Sequence, residues 1–308
     1  MVGCFVNMLA RVRRVPAEGL LLGTVLLWSF NFTAVRYGVT HEVEPLVYVS
    51  LRWLLAGVVL WLVVRLRGRS LRLGRRDLVV IAVASVVGVV VNQVAFSYSL
   101  HLADASTVAL VFGTLPIFVS LLSHLAGHER LGRRHWLATA VSFSGVALVA
   151  AGSGGGIRTS VGGILLALVT TLSFAAYSVA IVPPMRRHSP LTVNAASCLI
   201  GGVLLCLFSL PWFARQAWSA PPGLAWAAVL YSGLGSIVVG NVFWFTAIDR
   251  VGAGRSALYA NLQPFLGAVF AVFVLSETLH PLEVVGGLVI ASGIALSGRI
   301  RLSAPPSD

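Results

Sequence analysis

Two stretches of the chain, Ala105–Leu131 (ASTVALVFGTLPIFVSLLSHLAGHERL) and Ala253–Leu279 (AGRSALYANLQPFLGAVFAVFVLSETL), align without a gap. Ala105 meets Ala253, Leu110 meets Leu258, Pro116 meets Pro264, Glu129 meets Glu277 and Leu131 meets Leu279. The chain holds only 10 acidic residues in 308, so a glutamate pair in register with a proline pair is not a product of composition. Outward from there the match continues. Ser144-Gly145 meets Ser292-Gly293, Ser29-Phe30 meets Ser173-Phe174, Pro45-Leu46 meets Pro190-Leu191, and Gly57-Val58 meets Gly202-Val203. The chain is an internal duplication.

Each copy is built for lipid. The sequence is 57% hydrophobic and 10% charged, with a mean hydropathy of +0.91; a soluble domain carries about 25% charged residues. A spanning helix needs about 20 apolar residues. Runs of that kind fall near 19–38, 46–65, 78–99, 105–125, 136–152, 162–182, 191–213, 224–248, 256–275 and 282–300. Backbone polar groups find no partner in hydrocarbon, so these runs are expected to be helices. The short alternating segments of a membrane barrel are absent from the sequence. The expected fold is an all-α integral membrane protein with ten transmembrane helices in two five-helix repeats. Five is odd, so the second repeat is expected upside down relative to the first.

The charges give the orientation. All 22 basic residues are arginine. They gather in the N-terminal tail (Arg11, Arg13, Arg14), in alternate gaps (Arg65 to Arg76, Arg130 to Arg134, Arg186 and Arg187, Arg250 and Arg255) and at Arg299 and Arg301. The opposite gaps hold Arg36, Arg158 and Arg215 beside Glu42, Glu44 and Asp104. By the positive-inside rule both termini are cytoplasmic. The same distribution absorbs the +12 net charge and the pI of about 11.1, so no nucleic-acid partner is expected. The segments are then a cytoplasmic tail 1–17, a first repeat 18–152, a Gly-rich linker 153–160, a second repeat 161–300 and a cytoplasmic tail 301–308. In residues 1–17 the arginines follow the apolar MVGCFVNMLA, the reverse of signal-peptide order, so this reads as a tail or as a start assigned too early.

With the repeats stand several local motifs: Trp28-Ser29-Phe30-Asn31-Phe32, Pro45 followed by Arg52-Trp53, and two endings of the type Pro then Glu-x-Leu (Pro116 with Glu129-Arg130-Leu131, Pro264 with Glu277-Thr278-Leu279). In these the chain resembles EamA-type members of the drug/metabolite transporter superfamily over nearly its whole length. The resemblance implies a multi-pass bacterial inner (plasma) membrane carrier with a central cavity lined by helices 1, 3, 4, 6, 8 and 9. It implies export or facilitated passage of a small polar metabolite, such as an amino acid, by alternating access of the two inverted halves. Relatives that move lipids or lipid-linked sugars supply the alternative. The second repeat departs from the pattern, with Ser197 where Arg52 maps and Leu172 where Trp28 maps.

On those helices the polar and aromatic positions form faces. Thr24, Trp28 and Asn31 share one face of helix 1. Helix 3 offers Asn92, Tyr98 and Ser99, and helix 4 offers Thr107 and Thr114. Tyr177 stands on helix 6 with Thr170 and Ser173. Asn241 and Trp244 stand on helix 8, and Ser256, Tyr259 and Gln263 on helix 9. Hydroxyls in such positions often join packed helices; amides and aromatics are bulky for packing alone and suit a binding site. Arg52 is the charge set well inside a predicted helix, roughly 10 Å deep at 1.5 Å per residue. It has three readings: a snorkelling side chain, a contact to helix-end carbonyls, or a receptor for a substrate carboxylate or phosphate. The expected substrate-binding set is Trp28, Asn31, Arg52, Asn92, Tyr98, Tyr177, Asn241, Trp244, Tyr259 and Gln263.

Other chemistry is not indicated. The helices bring no Ser/His/Asp set and no His/Asp/Glu cluster, so neither an enzyme nor a metal site is expected. No cofactor is expected. Cys4, Cys198 and Cys206 have no redox or metal spacing and read as apolar packing. The predicted spans carry no mid-membrane carboxylate, so a facilitator or substrate-gradient carrier is expected rather than a proton antiporter. The expected partners are a small-molecule substrate and the lipid bilayer, in a monomer or homodimer. Ladders of small residues at Ser232, Ser236 and Gly240, and at Gly287, Ala291 and Ala295, predict close helix contacts. Pro116 and Pro264 predict bends in helices 4 and 9.

Overall fold

The computed structural model describes residues 15–68, 73–102, 108, 111–128, 131–152, 160–275 and 280–298. Most of the two tails and the linker, together with Thr107, Glu129 and Glu277, lie outside the described residues. Among the described residues every regular element is a helix. They are α1 (Ala17–Thr40), α2 (Pro45–Leu66), α3 (75–102), α4 (continuous over Leu115–Leu125), α5 (Arg133–Gly152), α6 (Val161–Arg187), α7 (Pro190–Phe208), α8 (Gly223–Val251), α9 (253–275) and α10 (Pro281–Gly298). Seven of them, α1 to α3 and α5 to α8, are long and apolar enough to cross a membrane; α4 and α10 hold shorter apolar helices.

Local chemistry sets the ends. Pro45, Pro190 and Pro281 open α2, α7 and α10, where the missing N–H costs nothing. Ser160 and Ser189 cap α6 and α7 by accepting from the backbone N–H of Gly163 and Thr192. Gly252, with φ of 84°, turns the chain between α8 and α9. Helix 7 stops at Phe208, short of the expected 213, and a separate short helix Leu210–Arg215 follows. Pro211 has no N–H to carry the ladder past Ser209. Around this break Phe208 stacks on Trp212 and Trp218 on Trp226, at 5.9 and 6.0 Å.

The bends expected at the two prolines are full interruptions. A turn at Gly113–Thr114 precedes Leu115–Leu125, and a turn at Asn261 divides α9 into Ala253–Ala260 and Leu262–Leu275. The breaks fall at equivalent places in the two repeats. Helices α3 and α8 share a second irregularity: π-helical winding over Val86–Val91 and over Ser232–Gly240.

Packing joins the two repeats at two seams. α2 lies on α7, and α5 lies on α10. A Cβ on Gly57 would stand 2.6 Å from Leu199 Cα, and one on Gly202 2.7 Å from Leu54 N. Across the other seam, Gly145 would meet Gly286 O at 2.7 Å and Gly293 would meet Ala138 O at 2.9 Å. Low numbers of one helix face high numbers of its partner, so each pair runs antiparallel. Only glycine lets backbones approach this closely. The close face of α10 is therefore Gly286 and Gly293. Of the expected ladder, Gly287 packs on Phe265, but Ala291 and Ala295 are exposed, because the face turned to α5 is the one a step away. The ladder on α8 does serve close contact: Ser232 bonds Tyr48, and Gly240 sits against Trp28. Between the seams α3 and α4 pack on α6, while α8 and α9 pack on α1. Exchanging the repeats (α1 for α6, α3 for α8, α4 for α9) turns one set of neighbours into the other.

Polar clasps tie the repeats at both ends of the α2–α7 seam. Asp77 at the start of α3 takes Arg187 Nε at 3.1 Å and faces His188 Nε2 at 2.9 Å. At the far end Gln216 Nε2 donates to Glu42 O at 2.9 Å, and Glu44 N donates to Gln216 Oε1 at 2.8 Å. Elsewhere Arg255 Nη2 meets Glu18 Oε1 at 2.8 Å.

Candidate functional site

The densest aromatic grouping lies where α1, α6 and α8 meet. Trp28 and Trp244 stand 5.0 Å apart between ring centroids. Phe174 is 5.9 Å from Trp28 and 6.2 Å from Trp244. Tyr177 follows at 6.4 Å from Phe174 and 6.0 Å from Phe245. Trp28 is oriented by a hydrogen bond from its Nε1 to Ser236 O, 3.1 Å, on the π-wound stretch of α8. Thr24 Oγ1 donates to Gly240 O of the same stretch at 3.2 Å. Both carbonyls belong to the π-wound stretch of α8, which thus receives two side-chain donors from α1. On the other repeat the π-wound stretch of α3 serves α6: a Cβ on Gly88 would meet Tyr177 Cβ at 2.3 Å.

A buried polar chain runs from α2 to α6. Arg52 Nη2 donates to Gln93 Oε1 at 2.5 Å, Gln93 Nε2 to Asn92 Oδ1 at 2.8 Å, and Asn92 Nδ2 to Thr170 O at 2.8 Å. A guanidinium only donates and a backbone carbonyl only accepts, so both amide orientations follow from the ends. Arg52 is 5% exposed and makes no salt bridge among the described residues. Its Nε has no hydrogen-bond partner, and the Tyr48 ring lies 6.0 Å from its Cζ. Neither snorkelling nor a helix-end carbonyl accounts for it; its partner is Gln93, which the sequence reading passed over beside Asn92.

The remaining expected residues sort by position. Asn241 Nδ2 faces Cys198 Sγ at 3.9 Å, so that cysteine is more than apolar filling. On α9, Gln263 is buried with Nε2 unpartnered, and its backbone carbonyl accepts from Ser29 Oγ at 3.4 Å. Asn31 Oδ1 and Trp244 Nε1 are likewise buried without partners. Tyr259 is buried among the apolar side chains of the core that also holds Trp244 and Phe245. Tyr98 is 42% exposed and turned away from the aromatic group. The structure thus gathers Trp28, Tyr177 and Trp244 together, links Arg52 to Asn92, and leaves Tyr98 outside. Phe174 and Gln93 belong to these groups and were missed; the spacing of Phe174 and Tyr177, three apart, was the available signal.

At the ends of α6 and α8 a small cavity is lined by His128, Val182, Met185, Arg186, Ile248, Asp249 and Gly252. Burial, with the Arg186 charge nearby, holds the His128 imidazole below its ordinary value.

Fold and site together define a multi-span helical membrane protein with one duplicated unit, whose copies meet over aromatic and amide side chains. The EamA-like transporter family model matches residues 15–151 and 161–299. The chain belongs to that family. It is similar to the uncharacterized transporter YoaV of Bacillus subtilis (strain 168), 22% identical over 90% of this chain and 94% of that one. It is also similar to a probable terminal-alkyne amino-acid exporter of Streptantibioticus cattleyicolor, 29% identical over 92% and 93%, and to the uncharacterized inner membrane transporter YedA of Escherichia coli (strain K12), 26% identical over 95% and 94%. A crystal structure 22% identical in sequence superposes with a TM-score of 0.78, over 91% of this chain and 96% of that one.

Proposed function

We propose that the protein is a secondary transporter, an exporter or facilitator, of a small polar metabolite such as an amino acid. It works by alternating access of two inverted five-helix halves in the bacterial inner membrane, with ten spans and both termini cytoplasmic. The observation that carries this reading is the pairing of equivalent helices. α2 and α7 hold the same place in their repeats and run antiparallel, as do α5 and α10. Exchange of the halves maps each seam onto itself and maps the α1 contacts onto the α6 contacts. In such a machine the inward and outward states are related by that exchange. Contacts on the seams therefore persist in both states, and contacts around α1 and α6 trade places. The clasps at Asp77 and Gln216, closed together here, fit a seam that does not part.

The substrate reading rests on chemistry and on similarity. The aromatic group of Trp28, Phe174, Tyr177 and Trp244 offers an apolar wall, and interrupted helices α4 and α9 suit a mid-membrane site. A similar protein carries a name pointing to amino-acid export. The expected site residues Asn31, Arg52, Asn92, Asn241, Tyr259 and Gln263 are proposed to serve the same path. The mid-span charge among the described residues is Arg52, not a carboxylate, which favours transport without proton coupling. The test is flux of labelled amino acids, sugars and nucleosides in reconstituted vesicles, with and without imposed pH gradients. Saturable flux unaffected by the gradient is expected; no flux of any of them, or strong proton-driven accumulation, overturns the reading.

A further inference from the structure

The cavity at the ends of α6 and α8 carries charges of both signs on its wall. Its volume is about 120 Å³. Sites for drug-sized ligands run to about 300–1,000 Å³, so this one suits a head group or a small solute. The buried part of its wall is apolar: Met185 is 5% exposed and Ile248 3%. Both belong to the apolar core that holds Tyr177, Trp244 and Phe245. Ile248 follows Trp244 by four residues and Phe245 by three, on one face of α8. Val182 follows Tyr177 by five on α6. At 1.5 Å per residue the cavity therefore lies about 6–8 Å beyond the aromatic group, toward the arginine-rich end proposed above to be cytoplasmic.

The rest of the wall is ionic. Arg186 and Asp249 are exposed, and neither makes a salt bridge among the described residues. The Arg186 charge acts on His128, whereas the basic side chain acting on Asp249 is Arg250, its neighbour in the chain. A guanidinium and a carboxylate thus line one small cavity without neutralising each other. His128 lies with them, half-buried, its Nδ1 without a partner and able to donate or accept. Helix α8 ends at Val251, and a helix C-terminus favours a cation, which suits an ammonium beside Asp249. A plain amine or a plain carboxylate leaves one of the two charges unused; an α-amino acid carries both partners on one carbon. We propose that this cavity is a vestibule for zwitterionic amino acids, in which Asp249 receives the ammonium, Arg186 and His128 receive the carboxylate, and Val182, Met185 and Ile248 meet the side chain. This rests on the transporter reading above, narrows its substrate class, and adds His128, Arg186 and Asp249 to the path.

Val182→Cys places a reporter in the wall. In an otherwise cysteine-free protein in vesicles, its modification by methyl methanethiosulfonate is followed with each protein amino acid, with the amine lacking the carboxyl and with the acid lacking the amino group. At least one amino acid is expected to slow labelling about 5-fold at about four times its Kd. Its amine and its acid are expected to slow labelling less than about 2-fold at that concentration. Protection is expected to disappear in Asp249→Asn and in Arg186→Gln. Without the reporter, each of these variants is expected to raise KM for that amino acid about 5-fold or more, as loss of a hydrogen bond to a charged group does. Their melting temperature is expected to be unchanged, since both side chains are exposed. Equal protection by the amine or the acid, protection that survives both substitutions, protection by no amino acid, or a thiol that never reacts overturns the vestibule. Amino-acid flux with an unaltered KM in both variants also overturns it and leaves the transporter reading standing; absent flux of every amino acid, sugar and nucleoside fells both.

Discussion

Replacing Gln93 with leucine tests whether the buried polar chain is a working unit. Leucine fits the space but removes the acceptor for Arg52 Nη2 and the donor to Asn92 Oδ1. The first is a hydrogen bond to a charged group, about 1.5–3 kcal/mol, and the second leaves a buried carbonyl unpaired at about 1–3 kcal/mol. Breaking a buried charge's partnership this way costs roughly 3–5 kcal/mol in all. At about 2–4 °C of melting temperature per kcal/mol, the loss is roughly 6–20 °C. Arg52→Leu strips the same bond from the other side and is expected to cost about as much. The double variant R52L/Q93L no longer buries a charge, and apolar replacements of both partners are nearly neutral. It is expected to recover at least about 2 kcal/mol relative to the sum of the singles. Tryptophan-fluorescence melting of detergent-solubilised protein measures all three. Additive losses would refute the coupling and return Arg52 to an isolated role.

Further expectations follow from close contacts. Gly88→Val drives a side chain into Tyr177, where a Cβ alone reaches 2.3 Å; transport falls at least 10-fold (about 1.4 kcal/mol) in vesicle flux. Trp28→Ala and Trp244→Ala each remove an aromatic pair worth about 0.5–1.5 kcal/mol beyond burial, so KM rises several-fold for aromatic substrates and less for small ones. Ser50 Oγ lies 3.0 Å from Ser209 Oγ; in a cysteine-free background S50C/S209C is expected to form a disulfide, seen by gel shift, with flux retained because the seam is static. Flux abolished by oxidation and restored by reduction would contradict the static seam.

Much of the fold was legible because lipid leaves the chain few options. The apolar runs and the repeated Pro and Glu positions predict the helices and the duplication, and the family match covers both copies. The seam on α10 was misread because Gly286 and Gly287 both begin small-residue ladders, and only the neighbour decides which faces α5. Helix 7 was drawn too long because Trp212 and Phe213 are as apolar as a span; the break lies in Pro211. The π-wound stretches have no sequence signature beyond glycine and valine. In the candidate site, Trp28, Tyr177 and Trp244 stand out in the sequence as polar or aromatic positions on separate helices, and the structure brings their rings into one group. The partner of Arg52 lay on another helix, and a single-helix pattern carries no such information. Cys198 looked like filling because its two amide partners come from different turns and helices.

Inversion is the claim on which the mechanism depends. His41 and Arg186 are equivalent positions, both exposed, His41 in the turn before α2 and Arg186 in the last turn of α6, just ahead of α7. Single cysteines there, in an otherwise cysteine-free protein in whole cells, are probed with a membrane-impermeant maleimide. The account predicts that H41C labels from outside and R186C only after the membrane is opened; labelling of both from the same side would contradict it.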